Sequence, residues 1–103
     1  MEVNEIAFNL ILYSGNARSK VMEALKLARL QFFDNANEML KEADEELEKA
    51  HKVQTNMMQE EAKGGSSSLS ILLVHAQDHL MTAMLARDLS EEIIDLRQSD
   101  NKQ

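Results

Sequence analysis

Within Val74-His75-Ala76-Gln77-Asp78-His79-Leu80-Met81-Thr82-Ala83, two imidazoles and a carboxylate stand at positions i, i+3 and i+4. On a helix those three side chains share one side. A neutral imidazole is nucleophilic near neutral pH, and its protonation is easily tuned by neighbours, so His75 is a candidate nucleophile. His79, one turn on, is placed to orient His75, to contact a group that His75 carries, or simply to support the fold. Read alone, His75 is better explained as a core histidine whose ring nitrogens are satisfied by neighbours. Chelation of a transition metal by His75, Asp78 and His79 is geometrically possible, although no further clustered ligands accompany them. Almost every other position from Leu69 to Leu89 is apolar or small. Burying an ionisable group is costly unless it is bonded, paired or bound to metal, so the cluster needs a partner or a purpose.

No other catalytic pattern competes. Gly64-Gly65 lacks a following Lys-Ser/Thr and is no phosphate loop. No paired-carboxylate arrangement stands out from the acidic surface, and His51 has only packing to recommend it. Gln77 points away from His75 on the helix and is free to serve a neighbouring subunit.

The elements that carry these residues are helical. The chain has no proline, three glycines and only four aromatic side chains (Phe8, Tyr13, Phe32, Phe33), a composition that suits long helices and not a sheet. Its 103 residues make one domain spanning 1–103. A first apolar stripe runs through Val3, Ala7, Leu10, Ala17, Val21, Ala24 and Ala28 at helical spacing. Ser14-Gly15-Asn16 interrupts it, and a glycine costs about 1 kcal/mol against alanine in a helix, so a kink or short break is expected near Gly15. Phe32-Phe33-Asp34-Asn35 reads as a turn with Asp34 as N-cap of the second helix. There Ala36, Leu40, Ala43, Leu47, Ala50 and Met57 form a stripe, opposite a solvated face that includes Glu38, Lys41, Glu42, Glu45, Glu46, Glu48, Lys49 and Lys52. Glu45–Lys49 and Glu48–Lys52 are i,i+4 pairs in the favourable order.

Lys63-Gly64-Gly65-Ser66-Ser67-Ser68 reads as a flexible connector. The expected helices cover about 2–31, 34–62 and 69–97, with Ser99–Gln103 a fraying polar tail. Short connections between three similar helices predict an up-down-up bundle on the order of 40 Å long.

The third helix is too apolar for a lone bundle. Leu72, Leu73, Ala76, Leu80, Ala83 and Ala86 lie on different sides from Ile71, Val74, Met81, Leu85 and Leu89. A helix apolar most of the way round must be covered most of the way round, which implies self-association through it. One seam reads Ile71, His75, Asp78, Thr82, Leu85, Leu89. If it faces a rotation axis, copies of Asp78 converge and need neutralising, and a hard divalent cation such as Mg²⁺ with oxygen ligands suits them.

The formal charge of −7 disfavours nucleic acid as a partner. No segment reaches the ~20 apolar residues that cross a bilayer. Met1-Glu2-Val3-Asn4-Glu5 lacks the positive region of a secretory signal, and the absence of cysteine fits a cytoplasmic location.

The His75 segment, together with Gly15-Asn16-Ala17-Arg18-Ser19, Ala50-His51-Lys52-Val53-Gln54-Thr55 and Met84-Leu85-Ala86-Arg87-Asp88-Leu89, resembles the lactose/cellobiose-specific IIA family of the bacterial sugar phosphotransferase system. The resemblance runs the length of the chain. It implies a cytoplasmic phosphohistidine carrier, with His75 accepting phosphate on its tele nitrogen from the histidine phosphocarrier protein. It further implies transfer to a cysteine of a IIB protein or domain during uptake of lactose- or cellobiose-type β-glycosides, and a homotrimer holding a metal through Asp78. Such transfer depends mainly on positioning and on donors to the equatorial phosphoryl oxygens. The Gly-Gly-Ser-Ser-Ser connector departs from the family's usual, more charged one. Two other readings fit composition and periodicity: a non-catalytic trimeric helical interaction module, and a metal-storing or metal-sensing bundle. The transported sugar is not legible, because a phosphate relay never touches it.

Overall fold

Three stripes of small and aliphatic residues, stepping alternately by three and four, dictate the architecture. The computed structural model describes residues 3–64 and 70–101, which form three helices: α1, Val3–Arg29; α2, Phe33–Ala62; and α3, Ile71–Asn101. No strand occurs among the described residues. The buried stripes are Ala7, Leu10, Ser14, Ala17, Val21, Ala24 and Ala28 on α1, Ala36, Leu40, Ala43 and Ala50 on α2, and Leu73, Ala76, Leu80, Ala83, Ser90 and Ile94 on α3. Such spacing keeps one seam of each helix facing its neighbours, as in a coiled coil. Nine of the fifteen buried apolar residues described are alanine, so the helix axes can approach closely.

Cross-helix bonds set the directions. Asn16 and Lys20 of α1 reach Glu46 and Glu42 of α2, while Gln54 and Asp44 of α2 meet Gln77 and Arg87 of α3. Each rising pair meets a falling one, so the order is up-down-up in a rod of 56 × 20 × 18 Å. Two core clusters divide its length. One gathers Val21, Ala24, Ala28, Ala36, Leu40, Ala43 and Ile94; the other gathers Ala7, Leu10, Ala50, Leu73, Ala76 and Leu80, beneath the histidines.

Several local expectations give way. α1 runs unbroken through Ser14-Gly15-Asn16, so the expected kink near Gly15 does not appear as a break in the helix. The glycine cost is small beside a buried stripe that continues on both sides of it. The turn falls at residues 30–32, two residues ahead of the expected start at Phe32. The Gln31 N–H bonds the Ala28 carbonyl at 3.0 Å and the Phe32 N–H bonds the Leu27 carbonyl at 2.9 Å, with Gln31 at φ 71°. That is a Schellman cap with a non-glycine residue in the left-handed position. α2 therefore starts at Phe33, its cap residue Phe32 makes no side-chain cap bond, and Asp34 is not the N-cap. Asp34 sits instead in the first turn, where its charge complements the helix dipole.

α3 continues to Asn101, past the expected end near 97, so 99–101 are helical. It begins at Ile71, with the Ser70 hydroxyl accepting the Leu73 N–H at 3.0 Å as its cap. Lys63 and Gly64 close α2, with Gly64 at φ 92°. The remainder of the expected connector, 65–68, and the expected helix start at Leu69 lie outside the described residues. On α2, Glu48–Lys52 pairs as expected at 3.5 Å, but Lys49 takes Glu46 at 3.2 Å and not Glu45. Glu46 is half-buried between Lys49 and Asn16, so it leaves the solvated face.

The left-handed backbone at Gln31 costs about 1–2 kcal/mol relative to glycine's freedom there. Gln31→Gly is expected to stabilise the fold by about 0.5–1 kcal/mol once the extra entropy of an unfolded glycine is counted. A denaturant midpoint that stays put or falls would contradict this.

Candidate functional site

The rotation of α3 decides what each residue of the histidine segment faces. Leu73, Ala76, Leu80 and Ala83 turn inward. Residues on the opposite side turn out: Ile71, Val74, Met81, Leu85, Leu89 and Leu96 are each more than half exposed, and Asp78 lies exposed among them. The apolar excess read in the third helix is thus a real uncovered face, with a carboxylate in its middle.

His75 and His79 occupy one flank of that face. His75 is exposed and His79 half-buried. Their Nε2 atoms are 3.0 Å apart, and the rings meet edge to face with centroids 4.4 Å apart and planes at 87°. A 3.0 Å N···N contact between neutral imidazoles requires one Nε2 to carry hydrogen and the other a lone pair. If His79 donates, His75 presents its Nε2 as an acceptor with Nδ1 protonated, the tautomer that a nucleophilic Nε2 needs. Below them, the Thr82 hydroxyl returns to the Asp78 carbonyl at 2.9 Å and the His79 carbonyl at 3.2 Å.

Gln77 lies on the other flank. Two residues from His75, it points roughly 200° away at 3.6 residues per turn. Its Oε1 accepts from Gln54 Nε2 at 2.7 Å across the α2–α3 seam, half-buried. It is therefore held by its own chain, which the sequence reading did not foresee. His51 also departs from expectation: it is exposed, not packed, and lines an α2–α3 groove with Leu47, Met84 and Arg87. Among the described residues no three His, Asp or Glu side chains come together as a metal site within one chain. Any cation at Asp78 must find its other ligands elsewhere.

The strongest polar element went unread in the sequence. Arg87 Nε and Nη2 grip Asp44 Oδ1 and Oδ2 at 2.6 and 2.9 Å, while Nη1 meets Glu91 at 2.6 Å and Asp88 at 3.6 Å. The Asp44 hydrogen bonds and then Glu91 raise the guanidinium's affinity for its proton above the ordinary arginine value, against the opposing effect of burial. A signal did exist. Arg87 occupies a place on the inward stripe, between Ala83 and Ser90, where a charged residue must be paired. Gln54 interrupts the α2 stripe in the same way.

Comparison with known proteins adds an independent line. Residues 5–98 match the family model described as the lactose/cellobiose-specific IIA subunit of the phosphotransferase system. A lactose-specific EIIA component of Staphylococcus epidermidis is 45% identical over 95 residues, spanning 92% of this chain and 91% of that protein. The crystal structure of the cellobiose-specific enzyme IIA from Bacillus anthracis superimposes with a TM-score of 0.96 at 43% identity, covering 100% of this chain and 94% of that one. The IIA(Chitobiose) chain of the IIA(Chitobiose)–HPr complex from the Escherichia coli phosphotransferase system aligns with a TM-score of 0.84 at 42% identity, over 98% of each chain.

Arg87→Ala is expected to destabilise the chain by about 1–2 kcal/mol, the worth of a charge-assisted fork discounted for the partial exposure of Asp44. The histidine pair lies more than two turns away and should be unaffected. A melting curve identical to that of the unsubstituted chain would show that the fork adds nothing net.

Proposed function

We propose a function on the premise that this chain belongs to the lactose/cellobiose-specific IIA family of the sugar phosphotransferase system, as its family match and its close relatives establish. It is a phosphotransferase component, a carrier subunit and not a complete kinase. In our reading His75 is the phosphoryl acceptor. Its Nε2 lone pair attacks the phosphorus of a phosphohistidine on the donor. The donor's P–N bond breaks as the new one forms, and the electron pair returns to the donor imidazole. Two imidazoles exchange one phosphoryl group, so no net proton is needed. With His79 as the donor in the 3.0 Å contact between the two Nε2 atoms, its N–H then has a phosphoryl oxygen to bond.

The donor in this reading is the histidine phosphocarrier protein; a structural neighbour captured in complex with HPr supports it. The next acceptor is a cysteine thiolate of a IIB protein or domain, since this chain has no cysteine of its own. The sugar is a β-linked disaccharide or β-glucoside, a class that includes the lactose, cellobiose and diacetylchitobiose for which relatives are named. No described helix is long and apolar enough to cross a membrane, and we place the carrier in the bacterial cytoplasm beside its donor.

We further infer a homotrimer. The exposed apolar face of α3 needs covering, and a closed ring covers it with copies of itself. In such a ring the His75 flank of one copy meets the Gln77 flank of the next, which supplies a carboxamide that His75 cannot obtain from its own helix. The face also carries Asp78 toward its counterparts. Mg²⁺ suits that all-oxygen set, and its charge would neutralise the converging carboxylates.

The observation that carries the proposal is the exposed His75 imidazole with His79 Nε2 at 3.0 Å. Incubation with phosphoenolpyruvate and the two general phosphotransferase proteins should place an acid-labile, alkali-stable phosphate on the chain. His75→Ala should abolish it while leaving helicity and assembly intact; retained labelling would refute the assignment. If a cation bridges Asp78, chelation should loosen the assembly in sedimentation, and Asp78→Asn should remove that sensitivity. Equal response of both proteins would argue against the bridge.

A further inference from the structure

The Gln54–Gln77 bond crosses between two helices with only a narrow shared seam, and it does something a simple clasp need not do. A carboxamide has an accepting end and a donating end. By giving its N–H to Gln77 Oε1 at 2.7 Å, Gln54 occupies the accepting end. The Gln77 Nε2 donors are left as the end available to anything approaching that flank. Gln54 can do this because it stands on the inward side of α2, between Ala50 and Met57, half-buried and confined.

We propose that Gln54 is a positioning residue that aims the Gln77 carboxamide, N–H outward, at the phosphoryl group on His75 of the adjacent copy. The proposal rests on the carrier and homotrimer readings above. A phosphoryl group carries accepting oxygens only and must be met by donors. A Gln77 turned the other way would oppose it with a carbonyl oxygen. Gln77 cannot reach its own His75, since i and i+2 never face each other on a helix. The orientation set by Gln54 therefore acts between copies.

Gln54→Glu separates aiming from clasping. A carboxylate only accepts, so Gln77 must reverse and donate its Nε2–H to Glu. The helix-to-helix bond survives while Oε1 turns outward. Phosphorylated Gln54→Glu should lose its phosphate to water about 3–10-fold faster, the worth of one hydrogen bond. In a Gln77→Leu background the same substitution should change the half-life no further, which distinguishes reorientation from the added negative charge. Gln54→Met, which removes the bond altogether, should lower the melting temperature and shorten the half-life less. A wild-type half-life in Gln54→Glu, or an effect that persists without Gln77, would each overturn the proposal. Failure of the unsubstituted chain to take phosphate at all would instead overturn the carrier reading.

Discussion

Close approach of three long helices through alanine is the constraint on which the rest depends. With Ala7, Ala17, Ala24 and Ala28 on α1, and Ala36, Ala43 and Ala50 on α2, the seams are too shallow to tolerate rotation. Turning α3 by one residue would drive a larger side chain, or a charged one, into a gap made for a methyl group, and cores packed at this density do not absorb such a change cheaply. The seam therefore fixes the angular position of every other residue on α3. His75 emerges on one flank, Gln77 on the other and Asp78 between them, because Ala76 and Ala83 must point inward. Functional geometry here is a by-product of core geometry.

Polar residues on the inward stripes refine what the alanines impose. Gln54 and Arg87 both occupy places where the spacing calls for an apolar side chain, and both find partners across the α2–α3 seam. Such pairs add little net stability beyond well-packed hydrocarbon, but breaking one partner is costly, so they hold α3 in a single register against α2. The buried Ser14 hydroxyl, which has no hydrogen-bond partner among the described residues, carries no comparable role.

Much of this was legible from spacing alone. The three stripes and the uncovered face of α3 follow from counting steps of three and four, and the up-down-up order from the short connections between them. The histidine segment was legible too, by type and interval. What stayed hidden depended on geometry that spacing does not encode. Gln31 takes a left-handed backbone usually given to glycine, so the α1–α2 turn was misplaced and Asp34 was mistaken for a cap. Gly15 looked like an interruption because its local cost was weighed without the continuous burial around it. The direct contact between the His75 and His79 rings depends on side-chain torsions, and the partners of Gln77 and Arg87 come from a helix distant in sequence. His51 was misjudged for a related reason: a stripe edge can be covered or bare depending on how far a neighbouring helix leans.

Asp78 among the exposed apolar residues of α3 has a consequence for fidelity. Greasy surfaces alone are poor at distinguishing one alignment from another, because leucine against leucine is nearly as favourable after a slip of one turn. A carboxylate set between Val74 and Met81 changes that. Sliding one α3 along another by a heptad would lay Asp78 against Leu85, stranding a desolvated charge against hydrocarbon at a cost of several kcal/mol. In an assembly built on that face, the register that gathers the Asp78 carboxylates around a neutralising charge would be preferred to one that lays them against leucine.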